Sequence, residues 1–60
     1  MSKVEFNYRG INTIVLCKEN EKMEEICKRF TNKDLNELHF IYSGKIINLQ
    51  LRYNEIINNY

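Results

Sequence analysis

The sequence predicts a small α+β domain with two β-strands, one helix and two further short strands, in that order along the chain. Three observations lead to this prediction. Residues 3–9 alternate apolar and polar side chains, residues 23–30 carry an apolar stripe with helical spacing, and residues 38–42 alternate again. The 60 residues form one domain at most, which buries only about 60% of the surface that its unfolded chain exposes.

The first two strands are expected to form a hairpin. Between residues 3 and 9 the even positions are apolar or aromatic and the odd positions are polar, which is typical of a half-buried strand. Gly10 marks a tight turn, and residues 11–17 are rich in β-forming residues, so they are predicted to fold back as the second strand. The register stays open because residues 14–16 are all apolar, and a slip of one residue exchanges the two faces.

An amphipathic helix is predicted next, with Asn20 as the candidate N-cap residue. Its apolar stripe comprises Met23, Ile26, Cys27 and Phe30. Two ion pairs in the favourable order are expected on the opposite face, Glu24 with Lys28 and Glu25 with Arg29.

The second half of the chain predicts shorter elements. Residues 38–42 alternate as a third strand, and Gly44 marks another turn. Beyond it, two patterns compete, because alternation argues for a strand while the spacing of the last apolar residues argues for a helix. We predict a short strand at 46–50 and a helical turn at 53–58, and we detect no internal repeat in the sequence.

Composition bounds the possible functions. The net charge is only +1 and basic residues do not cluster, which argues against sequence-independent binding to nucleic acid. No apolar run approaches the ~20 residues that span a bilayer, and the N-terminus has no signal-peptide core. We therefore expect an intracellular, cytoplasmic protein without a membrane role.

Catalytic and metal-binding residues are sparse. The candidates are Cys17, Cys27 and His39, without the close spacing of zinc ligands and one short of the usual four. Both cysteines fall at predicted core positions and His39 on the opposite face, where a Cys–His pair cannot form. We expect no enzyme activity, no metal and no cofactor.

Several stretches resemble ubiquitin and its relatives. Residues 38–45 (Leu-His-Phe-Ile-Tyr-Ser-Gly-Lys) look like the strand and glycine-lysine turn of that family. Residues 51–56 (Leu-Arg-Tyr-Asn-Glu-Ile) resemble its turn near the C-terminus, and the spacing from Cys17 to the helix stripe also matches. The resemblance implies a ubiquitin-like β-grasp fold, β-β-α-β-β, with one helix packed on a mixed sheet.

The chain departs from the family at its end. It stops at Tyr60, about where the last strand of the family begins, and it lacks the terminal Gly-Gly used for conjugation. The resemblance thus implies part of a longer protein, with an open slot between the first and third strands. Open strand edges recruit other strands, so a partner, a downstream segment or self-association with a second copy is expected to fill the slot.

A non-catalytic protein-interaction module is the function that the resemblance implies. In the family, partners dock on the exposed sheet face, and the matching positions here are Ile41, with His39 beside it and Lys45 after the turn. The alternative is a small sheet-based nucleic-acid-binding domain, for which Tyr8 and Tyr42 are the stacking candidates.

Overall fold

Each half of the chain contains one antiparallel hairpin followed by one helix. The computed structural model describes all 60 residues as an α+β fold with two two-stranded sheets. The elements are β1 (Ser2–Tyr8), β2 (Ile11–Cys17), α1 (Met23–Phe30), a 3₁₀ turn (Leu35–Glu37), β3 (Ile41–Tyr42), β4 (Lys45–Ile46) and α2 (Tyr53–Asn59). The α+β class is thus confirmed, whereas β1 and β3 are not hydrogen-bonded neighbours in a single sheet.

The same two-residue turn closes both hairpins. Arg9 and Gly10 have φ of 52° and 80°, and Ser43 and Gly44 have φ of 53° and 77°. Positive φ at both central residues is the type I′ geometry, whose twist matches that of the flanking strands. Glycine adopts it without strain, so each Gly stabilises its turn.

The pairing of β1 with β2 resolves the register that the sequence left open. Val15 lies opposite Val4, and Ile14 lies opposite Glu5. Val4 and Val15 pack against the core, while Ile14 and Leu16 are exposed on the outer face of the hairpin.

The core lies between β1, β2 and the two helices. Its six buried residues are Phe6, Cys17, Met23, Ile26, Cys27 and Ile56. Phe6 stacks on Phe30 of α1 with ring centroids 4.2 Å apart, and the ring of Phe40 meets Phe6 edge-on at 5.9 Å. These rings connect the two halves of the chain beside β1.

The two helix N-termini are related by an approximate two-fold arrangement that the sequence analysis missed. Met23 N–H donates to the carbonyl oxygen of Leu51 at 2.8 Å, and Tyr53 N–H donates to that of Glu21 at 2.8 Å. The equivalent second pair consists of Glu24 N–H to Leu49 O and Asn54 N–H to Glu19 O, both at 3.0 Å. A shift of 30 residues exchanges the donor and the acceptor between the two bonds of each pair, and each helix follows an antiparallel hairpin.

Two local predictions around α1 are wrong. The N-cap residue is Lys22, without a side-chain cap, whereas Asn20 uses its backbone carbonyl to accept a hydrogen bond from Arg52 at 2.6 Å. Arg29 pairs with Glu21 at 2.6 Å instead of Glu25, because the turn before the helix brings the Glu21 carboxylate beside it. The predicted pair Glu24–Lys28 is present at 3.8 Å.

The C-terminal elements partly match the predictions. The helical turn predicted at 53–58 is α2, which extends to Asn59. The predicted strands 38–42 and 46–50 shrink to Ile41–Tyr42 and Lys45–Ile46. They are short because β3 and β4 pair only with each other, and residues 38–40 have no strand on their other side.

Candidate interaction groove

An open groove separates β1 from β3. Its walls are residues 4–8 of β1 and residues 38–42, and Met23 and Phe30 of α1 also line it. A second cavity at the Lys3 end shares five lining residues with the first, so the two form one continuous groove. The shared residues are Val4, Glu5, Met23, Tyr42 and Ile47.

The β1 wall of the groove presents unpaired backbone groups. The β1–β2 turn closes on the pair Tyr8–Ile11, and hydrogen-bonded and non-hydrogen-bonded pairs alternate from there along an antiparallel ladder. The even residues of β1 therefore bond to β2, while the N–H and C=O of Lys3, Glu5 and Asn7 point away from it. None of these six backbone groups takes part in any hydrogen bond outside the ladder.

The β3 wall has the same character. Ile47 N–H donates to Phe40 O at 2.8 Å, which extends the β3–β4 ladder by one pair beyond Ile41–Ile46. By the same alternation, the backbone groups of His39 and Ile41 point away from β4, toward the groove. Both walls thus carry donors and acceptors at every second residue, the spacing at which a strand forms hydrogen bonds.

The floor of the groove is aromatic and apolar. Ten of the thirteen residues that line its first cavity are hydrophobic, and the three phenylalanine rings contact one another there. Phe6 is already buried, whereas Phe30 and Phe40 are partly buried, and a side chain that entered the groove would bury more of the apolar surface of these two rings.

The two walls run in opposite directions. Lys3 and Glu5 share the second cavity with Tyr42, whereas Leu38 lines only the first, which reaches Tyr8. The start of β1 is therefore nearest to the end of β3. A strand in the groove would be antiparallel to one wall and parallel to the other.

Two cations lie beside Tyr8, which lines one end of the groove, but neither of them is among the lining residues. Lys33 Nζ donates to the Tyr8 hydroxyl at 3.4 Å and lies 5.4 Å from the ring centroid, and Arg9 Cζ lies 5.2 Å from that centroid. The Lys33 hydrogen bond and the charges of Arg9 and Lys33 lower the pKa of Tyr8 below its usual value. The two ion pairs of the protein are elsewhere, at Lys28–Glu24 and Arg29–Glu21, so neither cation of this Tyr8 cluster (Tyr8, Arg9 and Lys33) is paired with a carboxylate.

The three site residues predicted from the sequence lie at two places. His39 and Ile41 line the groove, and both side chains are exposed, Ile41 by 64%. Lys45 is exposed in β4 opposite Tyr42 and does not line the groove. Ile46 lies opposite Ile41 and is 63% exposed, so the two isoleucines form an apolar pair on the outer face of this hairpin.

The cysteine thiols lie in the core, on the inner side of β2 and α1. Burial raises the pKa of the Cys27 thiol to about 11, and burial together with Glu21 raises that of Cys17. Both thiols are therefore protonated at neutral pH, and thiols in this state are poor nucleophiles. No group of three or more potential ligands is placed to hold a metal ion, and neither helix has the length and apolar character needed to cross a membrane.

Comparison of the chain with protein-family models, with curated proteins and with solved structures gives no match. The likeness to ubiquitin therefore stands on the residues of this chain alone. The Tyr8 cluster was missed by the sequence analysis, because Lys33 lies 25 residues from Tyr8 and no local pattern connects them.

Proposed function

We propose that this chain is a non-catalytic, ubiquitin-like protein-interaction domain that binds an extended segment of a partner protein in the groove between β1 and β3. The observation that carries the proposal is the pair of facing strand edges, one at Lys3, Glu5 and Asn7 and one at His39 and Ile41. An added strand satisfies backbone groups on both sides, which is the basis of recognition by β-augmentation.

Such a segment would also complete the β-grasp arrangement. It would join the two hairpins into one mixed sheet and cover the aromatic floor of Phe6, Phe30 and Phe40. Side chains alternate along a strand. The bound segment therefore needs apolar residues at every second position, to face the floor, and tolerates polar residues between them.

The outer face of the sheet is a second candidate surface within the same function. Ile41 and Ile46 form an exposed apolar pair, with His39 and Lys45 close by in sequence and exposed. Ile41→Ala removes little buried surface, so it should leave the protein folded while weakening a partner that docks on this face.

The nucleic-acid alternative is less well supported by the same geometry. Tyr8 already has two cations over its ring, and Tyr42 is 42% exposed at the far end of the groove. Two separated tyrosines, one of them covered, make a poor platform for successive bases.

Selection from a phage library of random linear dodecapeptides tests the proposal. Glu5→Pro removes the N–H at the centre of the β1 wall, where proline is tolerated because that group does not bond to β2. We expect peptides that bind the natural chain and Glu5→Ala with equal affinity but bind Glu5→Pro at least about tenfold more weakly, a loss of ~1.4 kcal/mol.

Folding of the proline variant is checked by the chemical shifts of β2. If the hairpin is disturbed, N-methylation of Glu5 in a synthetic chain removes the same donor. If the selected peptides bind Glu5→Pro and Glu5→Ala with equal affinity, binding in the groove is refuted. If binding is lost only in Ile41→Ala and Ile46→Ala, the binding site is on the outer face.

A further inference from the structure

We infer that the groove selects a partner segment with an acidic residue at one end of its apolar stretch, the end that lies beside Tyr8. The inference rests on the proposed strand-binding function and adds the chemistry of the segment. It is carried by the Tyr8 cluster, in which two cations converge on one phenol at the end of an apolar groove.

The cluster is suited to a carboxylate. The charged groups of Arg9 and Lys33 both lie within 5.4 Å of the Tyr8 ring centroid, and neither forms an ion pair with a carboxylate. An anion that approaches the Tyr8 hydroxyl is attracted by both positive charges. The Tyr8 hydroxyl supplies a further hydrogen-bond donor at the same place.

The opposite end of the groove has a smaller excess of positive charge. Lys3 and Glu5 both line it and carry opposite charges, and Lys45 lies opposite Tyr42, outside the lining. The groove is therefore electrostatically asymmetric along its length, and an acidic residue is favoured at one end of the segment only. Since the two walls run in opposite directions, the position of that residue also fixes the orientation in which the segment binds.

The test uses the dodecapeptides that bind the natural chain and lose binding in Glu5→Pro. We expect Asp or Glu to be enriched over the unselected library on one flank of the alternating apolar residues, and not on the other. In a parallel selection on the double variant Arg9→Asn/Lys33→Gln, that enrichment disappears. Asparagine is chosen because it tolerates the positive φ of Arg9.

Titration calorimetry with the most enriched acidic peptide gives the size of the effect. The double variant should bind it about fivefold more weakly, as expected for exposed ion pairs. The control variant Lys18→Gln/Lys22→Gln also removes two positive charges, both away from the groove, and should leave the affinity unchanged. Raising NaCl from about 0.05 M to about 0.5 M should remove most of the difference between the natural chain and the double variant.

The outcomes separate the two proposals. This inference is overturned if the groove-dependent peptides show no acidic enrichment, or if the natural chain and the double variant bind the acidic peptide with equal affinity. Neither result would affect the proposal that the groove binds a strand. Failure to select any peptide that depends on Glu5 would overturn strand binding itself. Tighter binding of a single-stranded DNA oligonucleotide than of any peptide, sensitive to Arg9→Asn/Lys33→Gln, would overturn both.

Discussion

Truncation of Ile56 tests whether α2 is an integral part of the core. Ile56 is 3% exposed, whereas its neighbour Ile57 is 47% exposed. Ile56→Ala removes three carbon groups at ~0.8 kcal/mol each and leaves a cavity, so we expect a loss of about 3 kcal/mol. Ile57→Ala removes the same three carbon groups, but about half of their surface is already exposed and no cavity is left. We therefore expect this variant to lose about 1 kcal/mol of stability.

The difference is large on the scale of the whole domain. At ~0.05–0.15 kcal/mol per residue, the chain has a free energy of unfolding of roughly 3–9 kcal/mol. Urea unfolding followed by circular dichroism measures it, and with a slope of about 1 kcal/mol per molar the two midpoints should fall by about 3 M and about 1 M.

A milder pair of variants covers the case in which Ile56→Ala does not fold. Ile56→Val should cost about 1 kcal/mol, and Ile57→Val should have little effect. Equal losses at the two positions, or a larger loss at Ile57, would show that α2 packs through a different face and would refute the reasoning.

Three further predictions concern titratable groups. The Arg29 hydrogen bond lowers the folded-state pKa of Glu21 below its ordinary value of 4.5, so its contribution to stability is full above about pH 4.5 and is lost as the pH falls through the lowered value. Thermal melts from pH 7 to 2 should show this decline, and Glu21→Gln should reduce it. The Cys27 thiol, with a pKa of about 11, should react with iodoacetamide at pH 8 far more slowly in the folded chain than in urea, and equal rates would contradict its burial. Lys33→Gln should raise the pKa of Tyr8 toward 10.0, measured by NMR titration of the ring, and an unchanged value would contradict the hydrogen bond.

Local pattern predicted α1 clearly, and it predicted α2 against a competing strand pattern. The apolar stripe of α1 packs in or against the core. The spacing of Tyr53, Ile56, Ile57 and Tyr60 indicated α2, and all of these residues except the exposed Ile57 pack in or against the core. Helical periodicity is a short-range property, and here tertiary contacts reinforce it.

The register and the lengths of the strands depend on contacts between residues far apart in the sequence, which local patterns do not reveal. The register of β2 is set by its pairing with β1, and β3 and β4 are short because their hairpin has no neighbouring strand. The N-cap prediction failed because long-range hydrogen bonds hold the turn before α1: Arg52 donates to the Asn20 carbonyl oxygen and Arg29 to the Glu21 carboxylate.

The relation between the two halves left only a faint trace in the sequence. The dipeptide Glu25-Ile26 recurs as Glu55-Ile56 at a spacing of 30 residues. A tyrosine also precedes each turn by one position, but Tyr8 and Tyr42 are 34 residues apart. These matches are too few, and their spacings too different, to indicate a repeat. Only the exchanged backbone hydrogen bonds make the relation visible.

The candidate site was partly predictable. The alternation of residues 38–42 correctly predicted that His39 and Ile41 would be exposed. The Tyr8 cluster could not be predicted, because it forms only when the segment after α1 brings Lys33 back to the end of β1. The groove itself lies between the unpaired edges of two separate hairpins.

Amide hydrogen exchange, read residue by residue by NMR with and without a peptide selected for dependence on Glu5, tests strand binding most directly. The account predicts that protection rises at alternate residues that face the groove, namely Lys3, Glu5, Asn7, His39 and Ile41. The even residues of β1, already bonded to β2, should not change. A uniform rise along β1, or changes restricted to the outer face around Ile46, would contradict the proposal that a strand is added between β1 and β3.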